Sequence, residues 1–149
     1  MHFINSNNAK LDYIINLHKK NTETLGFIPY PTLKKLIEND QVFIENEGGD
    51  NAGYIVVGSG KRNNILRIYQ ACVEQDLRRL TFGKKLFKKV INFGNKNNCN
   101  SILLRCRENL QSNLFWQALG CKFLYLEPKK TKRTKKGVNT WQYNLHFKT

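Results

Sequence analysis

The sequence predicts one α+β domain: a single mixed, mostly antiparallel sheet with helices on both faces. The chain has 149 residues, about the length of one domain. Hydrophobic residues recur at every second position in some segments and at every third or fourth in others, which predicts strands and helices in turn. No internal repeat or long linker is visible, so we assign residues 1–149 to one domain.

The first forty residues predict a strand candidate and two helices. HFIN, at residues 2–5, is the strand candidate, and Asn8 is a suitable N-cap for the helix that follows. The apolar stripe of that helix consists of Leu11, Ile14, Ile15 and His18. A histidine on such a stripe is usually a packed residue, so His18 is given no function. Pro31 begins a short second helix, with Leu33, Leu36 and Ile37 on one side.

From residue 41 the hydrophobic period changes to two. QVFIEN, AGYIVVG and ILRIYQACV are predicted to be three strands of an antiparallel meander, joined by the turns EGGDN and SGKRNN. A long helix follows, and its apolar face consists of Gly83, Leu86, Phe87, Val90, Ile91 and Gly94. The lysines that should point largely outward, as a solvated face, are Lys84, Lys85, Lys88 and Lys89.

The last third predicts a strand, a helix and a hairpin. SILLRCR is a buried strand, NLQSNLFWQALG a helix closed by Gly120, and CKFLYLE a further strand. The loop PKKTKRTKKG has six basic residues and no acid, and VNTWQYNLHF returns as the final strand.

Composition limits the class and location of the protein. With 40% hydrophobic residues, 10 Gly and 3 Pro, the chain has an ordinary globular composition. No window approaches 18 apolar residues and no signal peptide is apparent, so we expect a cytoplasmic protein without a membrane span. The cysteines at 72, 99, 106 and 121 contain no CxxC pair, so we expect reduced thiols and no metal site.

The positive charge is concentrated in the C-terminal part. Residues 1–60 contain 5 Lys/Arg and 7 Asp/Glu, a net charge of −2. Residues 61–149 contain 20 Lys/Arg and 4 Asp/Glu, a net charge of +16, so the whole chain carries +14. This asymmetry favours an anionic ligand or partner: a phosphorylated cofactor, a nucleic acid or an acidic protein surface. A basic surface can also serve solubility alone.

The most informative segment joins the third meander strand to the long helix, at residues 73–84. The N–H groups at a helix start, together with the helix dipole, form a site that suits phosphate. Arg78, Arg79 and Lys84 add positive charge, and Gly83 allows the backbone to approach a ligand.

A second motif makes this site more specific. After the next strand comes Asn109, followed by Phe115, Trp116, Leu119 and Gly120. The pairing of RxxxxG at a helix start with N(x)5FWxxLG resembles the GNAT acetyltransferase superfamily. Residues 66–123 carry the motifs, and the element order matches over nearly the whole chain. The resemblance implies the GNAT-like acyl-CoA N-acyltransferase fold and acetyl-CoA as cofactor.

The resemblance also implies roles for particular residues. The main chain of Ala71, Cys72 and Val73 would hydrogen-bond the pantetheine arm and polarise the thioester carbonyl. The residues that would hold the pyrophosphate are Arg78, Arg79, Leu80, Thr81, Phe82, Gly83 and Lys84. Asn109 would contact the cofactor arm, and Trp116 would lie near the sulfur. The predicted helix places Trp116 off the stripe of Leu110, Leu114 and Ala118, where it can face a ligand.

Two residues depart from the family pattern. Thr81 replaces the usual first glycine, where it either crowds the pyrophosphate or donates its hydroxyl to it. Trp116 replaces the usual tyrosine general acid, and an indole N–H does not release a proton near neutral pH. Trp116 and Tyr143 are the candidates for the catalytic positions. Tyr69 and Tyr125 are further possible donors, although a packing or strand role is the more usual one for each of these three tyrosines. Glu45, Glu47 and Glu74 are candidate bases, and none is assigned.

The acceptor would enter beside the loop TLGFIPYP. Its residues Phe27, Ile28 and Tyr30 either cap the core or line a binding groove. In similar folds the last hairpin lies opposite, and here its loop is basic or merely solvated. We therefore expect an amine-bearing acceptor on an acidic or nucleic-acid-associated body, such as a protein terminus or side chain, or charged tRNA. The expected protein is an N-acetyltransferase, monomer or homodimer. The alternative is a catalytically impaired GNAT-like module with a basic RNA- or partner-binding surface.

Overall fold

A computed structural model describes residues 6–21, 28–47, 50–73, 80–128 and 137–145. The elements, in chain order, are α1 Ser6–Lys20, α2 Tyr30–Glu38, β1 Val42–Glu47, β2 Asp50–Val57, β3 Ile65–Val73, α3 Leu80–Lys96, β4 Ser101–Arg107, α4 Ser112–Ala118, β5 Lys122–Glu127 and β6 Val138–Asn144. The six strands form a sheet of order β1-β2-β3-β4-β6-β5. β3 and β4 are parallel, while the pairs β1–β2, β4–β6 and β5–β6 are antiparallel. The predicted mixed α+β fold is therefore confirmed; the HFIN strand candidate lies outside the described residues.

The chain divides into two compact units, each of which is described by itself. The first comprises residues 1–58 and 69–90, and the second comprises residues 59–68 and 91–149. Both β3 and α3 contribute residues to each unit.

The core of the first unit lies between two helices and one face of the sheet. Its buried members are Leu11, Ile14, Leu17, Leu33, Leu36, Ile37, Val42, Tyr54, Val56 and Cys72. Val42 lies opposite Val56 across the β1–β2 pair, so both side chains point to this face. Ile55 and Val57 on the other face of β2 are buried as well. β2 is thus covered on both sides, as its unbroken apolar run indicates.

The helix boundaries differ slightly from the predictions. α1 begins at Ser6, so Asn8 is the third helical residue and its assignment as N-cap was wrong. Residues 6, 7 and 8 are all good capping residues, and local preference does not choose among them. α2 begins one residue before Pro31, with Pro29 at the cap position. The predicted apolar face of α3 is confirmed in the first unit, since Gly83, Leu86, Phe87 and Val90 are buried.

The second unit is built on β4, β6 and β5, with β5 at the edge of the sheet. Ile102, Leu104 and Cys106 of β4 are buried. α4 is shorter than predicted, because it begins three residues after Asn109 and spans only seven residues. Gly120 follows it with a φ of 96°, a left-handed conformation that glycine adopts without strain. In the described part of the chain, no helix is both long and apolar enough to cross a membrane.

Candidate functional site

The three residues at the end of β3 have little side-chain surface for a ligand. Ala71 and Val73 are half-buried, and Cys72 is buried in the core of the first unit. Because the Cys72 side chain packs into this core, the chemical groups that the segment can offer are its peptide N–H and C=O groups. This arrangement is compatible with the main-chain role that the resemblance implies for these residues.

A glycine on the neighbouring strand allows a close approach of main chains at this point. A Cβ atom on Gly53 of β2 would lie 2.6 Å from the Cys72 carbonyl oxygen and 2.8 Å from Val73 Cα. Both distances are shorter than van der Waals contact, so a larger residue would push the strands apart. The β1–β2 register also shifts just after Glu45, the cross-strand partner of Gly53. Gly53 was not among the predicted site residues, although a glycine inside a strand pattern is a signal of close backbone approach.

A buried hydrogen bond joins β2 to β3 next to the same segment. The Tyr54 hydroxyl donates to Gln70 Oε1 at 3.0 Å. Burial, with smaller effects from Cys72 and Tyr13, raises the pKa of Tyr54 well above its ordinary value. The phenol is therefore protonated at neutral pH and acts as a structural donor. Because Gln70 lies two residues before Cys72, this bond helps to hold the end of β3 in place.

The start of α3 provides peptide N–H groups and positive charge. The helix begins at Leu80, and the first four N–H groups of a helix have no acceptor within it. Phe82 and Gly83 are buried, whereas Lys84 is exposed. The helix start predicted here is confirmed, and its dipole favours an anion at this end. Arg78, Arg79 and the side chains of Leu80 and Thr81 lie outside the described residues.

One lysine of α3 is bound to the sheet. Lys89 Nζ lies 2.9 Å from Glu45 Oε2 and donates to the Ile44 carbonyl oxygen, also at 2.9 Å. The four lysines predicted to point outward are exposed, and the Lys89 ammonium group in addition contacts acceptors on β1. The same contact pairs the carboxylate of Glu45, one of the candidate general bases, with the Lys89 ammonium group. The Glu47 side chain and Glu74 lie outside the described residues.

In the second unit, Asn113 organises the turn between β4 and α4. Its side-chain nitrogen donates to the carbonyl oxygens of residues 107 and 110, at 2.9 and 2.8 Å. Its Oδ1 accepts from Trp141 Nε1 at 2.9 Å and from Asn139 Nδ2 at 3.1 Å. Asn109, the predicted contact of the cofactor arm, lies exposed in this turn. Asn113 was not among the predicted site residues, because nothing local distinguishes it from the other asparagines of the chain.

Trp116 occupies the buried side of α4. It is 5% exposed, and its ring meets the Phe115 ring edge-on with a centroid distance of 4.9 Å. The predicted core stripe of Leu110, Leu114 and Ala118 was wrong, because Leu114 is 69% exposed and Ala118 is also exposed. Because α4 has only about two turns and apolar residues on most sides, its hydrophobic period alone does not predict which side is buried. The neighbouring strands decide which residue is covered.

The remaining predicted residues differ in their surroundings. Tyr143 is half-buried on β6, opposite Ile102 of β4. Ile28 packs against the core of the first unit, which contains Cys72, whereas Tyr30 at the start of α2 is 55% exposed. Phe27 lies outside the described residues. Ile28 is therefore a core cap, and Tyr30 presents its ring to solvent.

Cys106 and Cys121, in the second unit, are not poised as nucleophiles. Burial raises the pKa of Cys121 to about 12. Burial also raises the pKa of Cys106, partly offset by the Ser112 hydroxyl 3.2 Å away and by the charge of Arg107. Both thiols are therefore protonated at neutral pH. Among the described residues, no group of three or more His, Cys, Asp or Glu side chains could hold a metal ion.

The predicted site residues are thus divided between the two units. The first unit contains the end of β3, the start of α3, Ile28 and Tyr30, and it brings Ile28 and Cys72 into one cluster. The second unit contains Asn109, Trp116 and Tyr143. Taken by itself, the first unit offers an ordered strand end and a helix start with lysines, a combination suited to a long ligand that carries phosphate.

Known proteins resemble this chain in family pattern and in fold. A model of the acetyltransferase (GNAT) family matches residues 11–121. Ard1 from Thermoplasma volcanium has a similar structure, with a TM-score of 0.76 and 15% identity over 98% of this chain and 96% of that one. A ribosomal-protein-alanine N-acetyltransferase from Brucella melitensis has a TM-score of 0.74 and 13% sequence identity, over 92% of this chain and 95% of that one. A putative acetyltransferase from Salmonella typhimurium, solved with its cofactor acetyl-CoA, has a TM-score of 0.65 and 15% sequence identity, over 80% of this chain and 75% of that one. No curated protein matches this chain.

Proposed function

The chain belongs to the acetyltransferase (GNAT) family, and on this premise we propose that it is an N-acetyltransferase that transfers an acetyl group from acetyl-CoA to a primary amine. The observation that carries the proposal is the pairing, in the first unit, of the main chain at the end of β3 with the start of α3. These are the two places to which the sequence motifs assign the cofactor.

The residues of the first unit suit acetyl-CoA. Its diphosphate is an anion, which a helix N-terminus with unpaired N–H groups favours. Its pantetheine arm contains amides that pair with peptide groups, and Gly53 keeps β2 close against Cys72 and Val73. We assign the arm to the main chain of residues 71–73 and the diphosphate to residues 78–84. Acetyl-CoA, when bound, supplies an acetyl group already activated as a thioester.

In this proposal, catalysis depends mainly on positioning and on fixed dipoles. Trp116 is buried and its indole does not release a proton near neutral pH, so we give it a packing role. Tyr143 remains the candidate proton donor. The demand on that donor is small, because a thiol with a pKa of about 8.5 is a tolerable leaving group. Glu45 is bound to Lys89, and we assign no general base.

The proposed acceptor carries its amine on an acidic or nucleic-acid-associated body. The support is the excess of 20 Lys/Arg over 4 Asp/Glu in residues 61–149. We further propose that the reaction takes place in the cytoplasm, a compartment that keeps thiols reduced, since the four cysteines, all among the described residues, are buried and form no disulfide.

Calorimetry with acetyl-CoA tests the cofactor assignment. We expect binding that Lys84→Gln weakens about two- to fivefold, the effect of one solvent-exposed charge. Lys88→Gln is the matched control, because it removes the same charge one turn further along α3 and should leave the affinity unchanged. Arg78→Gln and Arg79→Gln should also weaken binding. If the native protein does not bind acetyl-CoA at millimolar concentration, the proposal is rejected.

A screen of acceptors tests the reaction itself. Amino acids, peptides and charged tRNA are offered with acetyl-CoA, and the released thiol is measured. The second candidate function is the catalytically impaired binding module, which the buried Trp116 at the usual tyrosine position favours. That module would give no thiol release with any acceptor, and turnover on any amine would exclude it.

A further inference from the structure

The sheet of the second unit has one face covered by α4. Cys106 lies opposite Asn139 across the β4–β6 pair, so their side chains share this face. Cys106 Sγ lies 3.2 Å from Ser112 Oγ of α4, and Asn139 donates to Asn113 of the same helix. Because successive side chains of a strand point to opposite faces, Arg105 and its cross-strand neighbours point to the other face.

That other face, which we call the open sheet face, is crossed by two rows of cross-strand neighbours. One row contains Arg67, Leu103, Gln142 and Lys122, and the other contains Arg105, Thr140 and Tyr125. Arg67 and Lys122 are exposed, the Arg105 side chain is 59% exposed, and Tyr125 is 52% exposed. Solvent therefore reaches three cations and an aromatic ring on one surface of the sheet.

The charge of this surface suits a polyanion. The described residues of the second unit with a positive charge are Lys61, Arg62, Arg67, Lys96, Arg105, Arg107 and Lys122, whereas those with a negative charge are Glu108 and Glu127. Glu127 pairs with Arg105. Among the described residues, neither Arg67 nor Lys122 has an ion-pair partner. Because both side chains are exposed, phosphate groups in solution can reach their charges.

The exposed ring of Tyr125 indicates which class of polyanion this surface can bind. Strands lie about 5 Å apart and successive rows about 7 Å apart, so the backbone of Lys122 lies about one row from Tyr125, that of Arg105 about 10 Å away across two strands, and that of Arg67 about 15 Å or more away across three strands. Single-stranded nucleic acids are bound by this combination, in which a base stacks on an aromatic ring and cations contact the phosphates on either side. A duplex offers its phosphates but not its base faces.

From these observations we infer that the open sheet face binds single-stranded nucleic acid, with a base stacked on Tyr125 and phosphates held by Arg67 and Lys122. This inference does not depend on acetyl transfer, because none of these residues belongs to the proposed cofactor site.

Fluorescence anisotropy with labelled oligouridylate and oligodeoxythymidylate of about 12 nucleotides, within the usual site sizes, tests the inference. Tyr125→Ser should lower the affinity for the bound strand about tenfold, and Tyr125→Phe should restore it, because the ring and not the hydroxyl provides stacking. Arg67→Gln and Lys122→Gln should each reduce the slope of log affinity against log salt by about 0.7, the value for one phosphate on a single strand. A preference between the two oligonucleotides distinguishes RNA from DNA as the source of the strand.

Phe123→Ser is the matched control, because it removes an aromatic ring of the same exposure from the same strand but on the other face, where the ring contacts Trp141, and it should leave the affinity unchanged. The inference is overturned if neither oligonucleotide binds, or if Tyr125→Ser binds as tightly as the native protein. It is also overturned if a duplex, or a polyglutamate peptide that represents an acidic protein partner, binds as tightly as the single strands.

Discussion

Replacing Gly53 with alanine tests whether the close approach of β2 positions the end of β3. The new Cβ would lie 2.6 Å from the Cys72 carbonyl oxygen, and ordinary contact begins at 3.4 Å, so the strands must separate by about 0.8 Å. Overpacking of this kind costs about 1–3 kcal/mol, and the reduced freedom of alanine in the unfolded chain offsets about 0.4–1 kcal/mol. We expect a net loss of about 1–2 kcal/mol in the free energy of unfolding. Because the end of β3 is displaced, the dissociation constant of acetyl-CoA should also rise, by about tenfold for a loss of about 1.4 kcal/mol in binding.

Gly58→Ala is the control for this experiment. Its Cβ would lie 2.8 Å from the Tyr69 hydroxyl, which is the tip of an exposed side chain that can move aside. We expect the free energy of unfolding to change by less than about 0.5 kcal/mol and the affinity for acetyl-CoA to stay the same. Urea denaturation measures the free energy of unfolding, and calorimetry measures the affinity for acetyl-CoA. The reasoning is refuted if Gly53→Ala unfolds at the same urea concentration as the native protein, or if it is destabilised but binds acetyl-CoA equally well.

Three further predictions concern contacts away from Gly53. Asn113→Ala should lower the free energy of unfolding by about 2 kcal/mol in urea denaturation, because the buried indole N–H of Trp141 loses its acceptor; an unchanged midpoint would show that the contact is unimportant. Lys89→Gln should cost only about 0.5 kcal/mol at low salt and less at high salt, since the ion pair with Glu45 is partly exposed; a cost that does not fall with added salt would contradict a screened ion pair. The pKa of Cys121 rises from 9.0 to about 12 on folding, so above pH 9 the unfolded thiol ionises while the folded one does not, and stability should fall as the pH rises from about 9 towards 12. Denaturation midpoints of the native protein should therefore fall more steeply above pH 9 than those of Cys121→Ala, and equal slopes would contradict this assignment.

The order and type of the elements could be predicted because they depend on local hydrophobic period. AGYIVVG was predicted to be a strand, and most of it lies in β2, Asp50–Val57. The spacing from Gly83 to Val90 likewise predicted the buried side of α3. Both elements are long enough for the period to be unambiguous.

Prediction failed where an element was short or where several residues could play the same part. α4 has seven residues, and its buried side proved to be that of Trp116 and not that of Leu114. At the start of α1, three successive capping residues left the first helical position undetermined. In the candidate site, the motif residues could be located from the sequence, but the close approach at Gly53 depends on a neighbouring strand.

By itself, the sequence determined the fold class, the family motifs and the concentration of positive charge in the C-terminal part, since each is a property of adjacent residues or of composition. Only the tertiary structure decided which polar groups meet: Lys89 with the Ile44 carbonyl, 45 residues away, and Asn113 with Trp141, 28 residues away. Such contacts depend on strand register and helix packing, which are set by the burial of the whole core and not by any local pattern. The same physical reason explains why the exposed ring of Tyr125 and its neighbouring cations are apparent only once β4, β6 and β5 are paired.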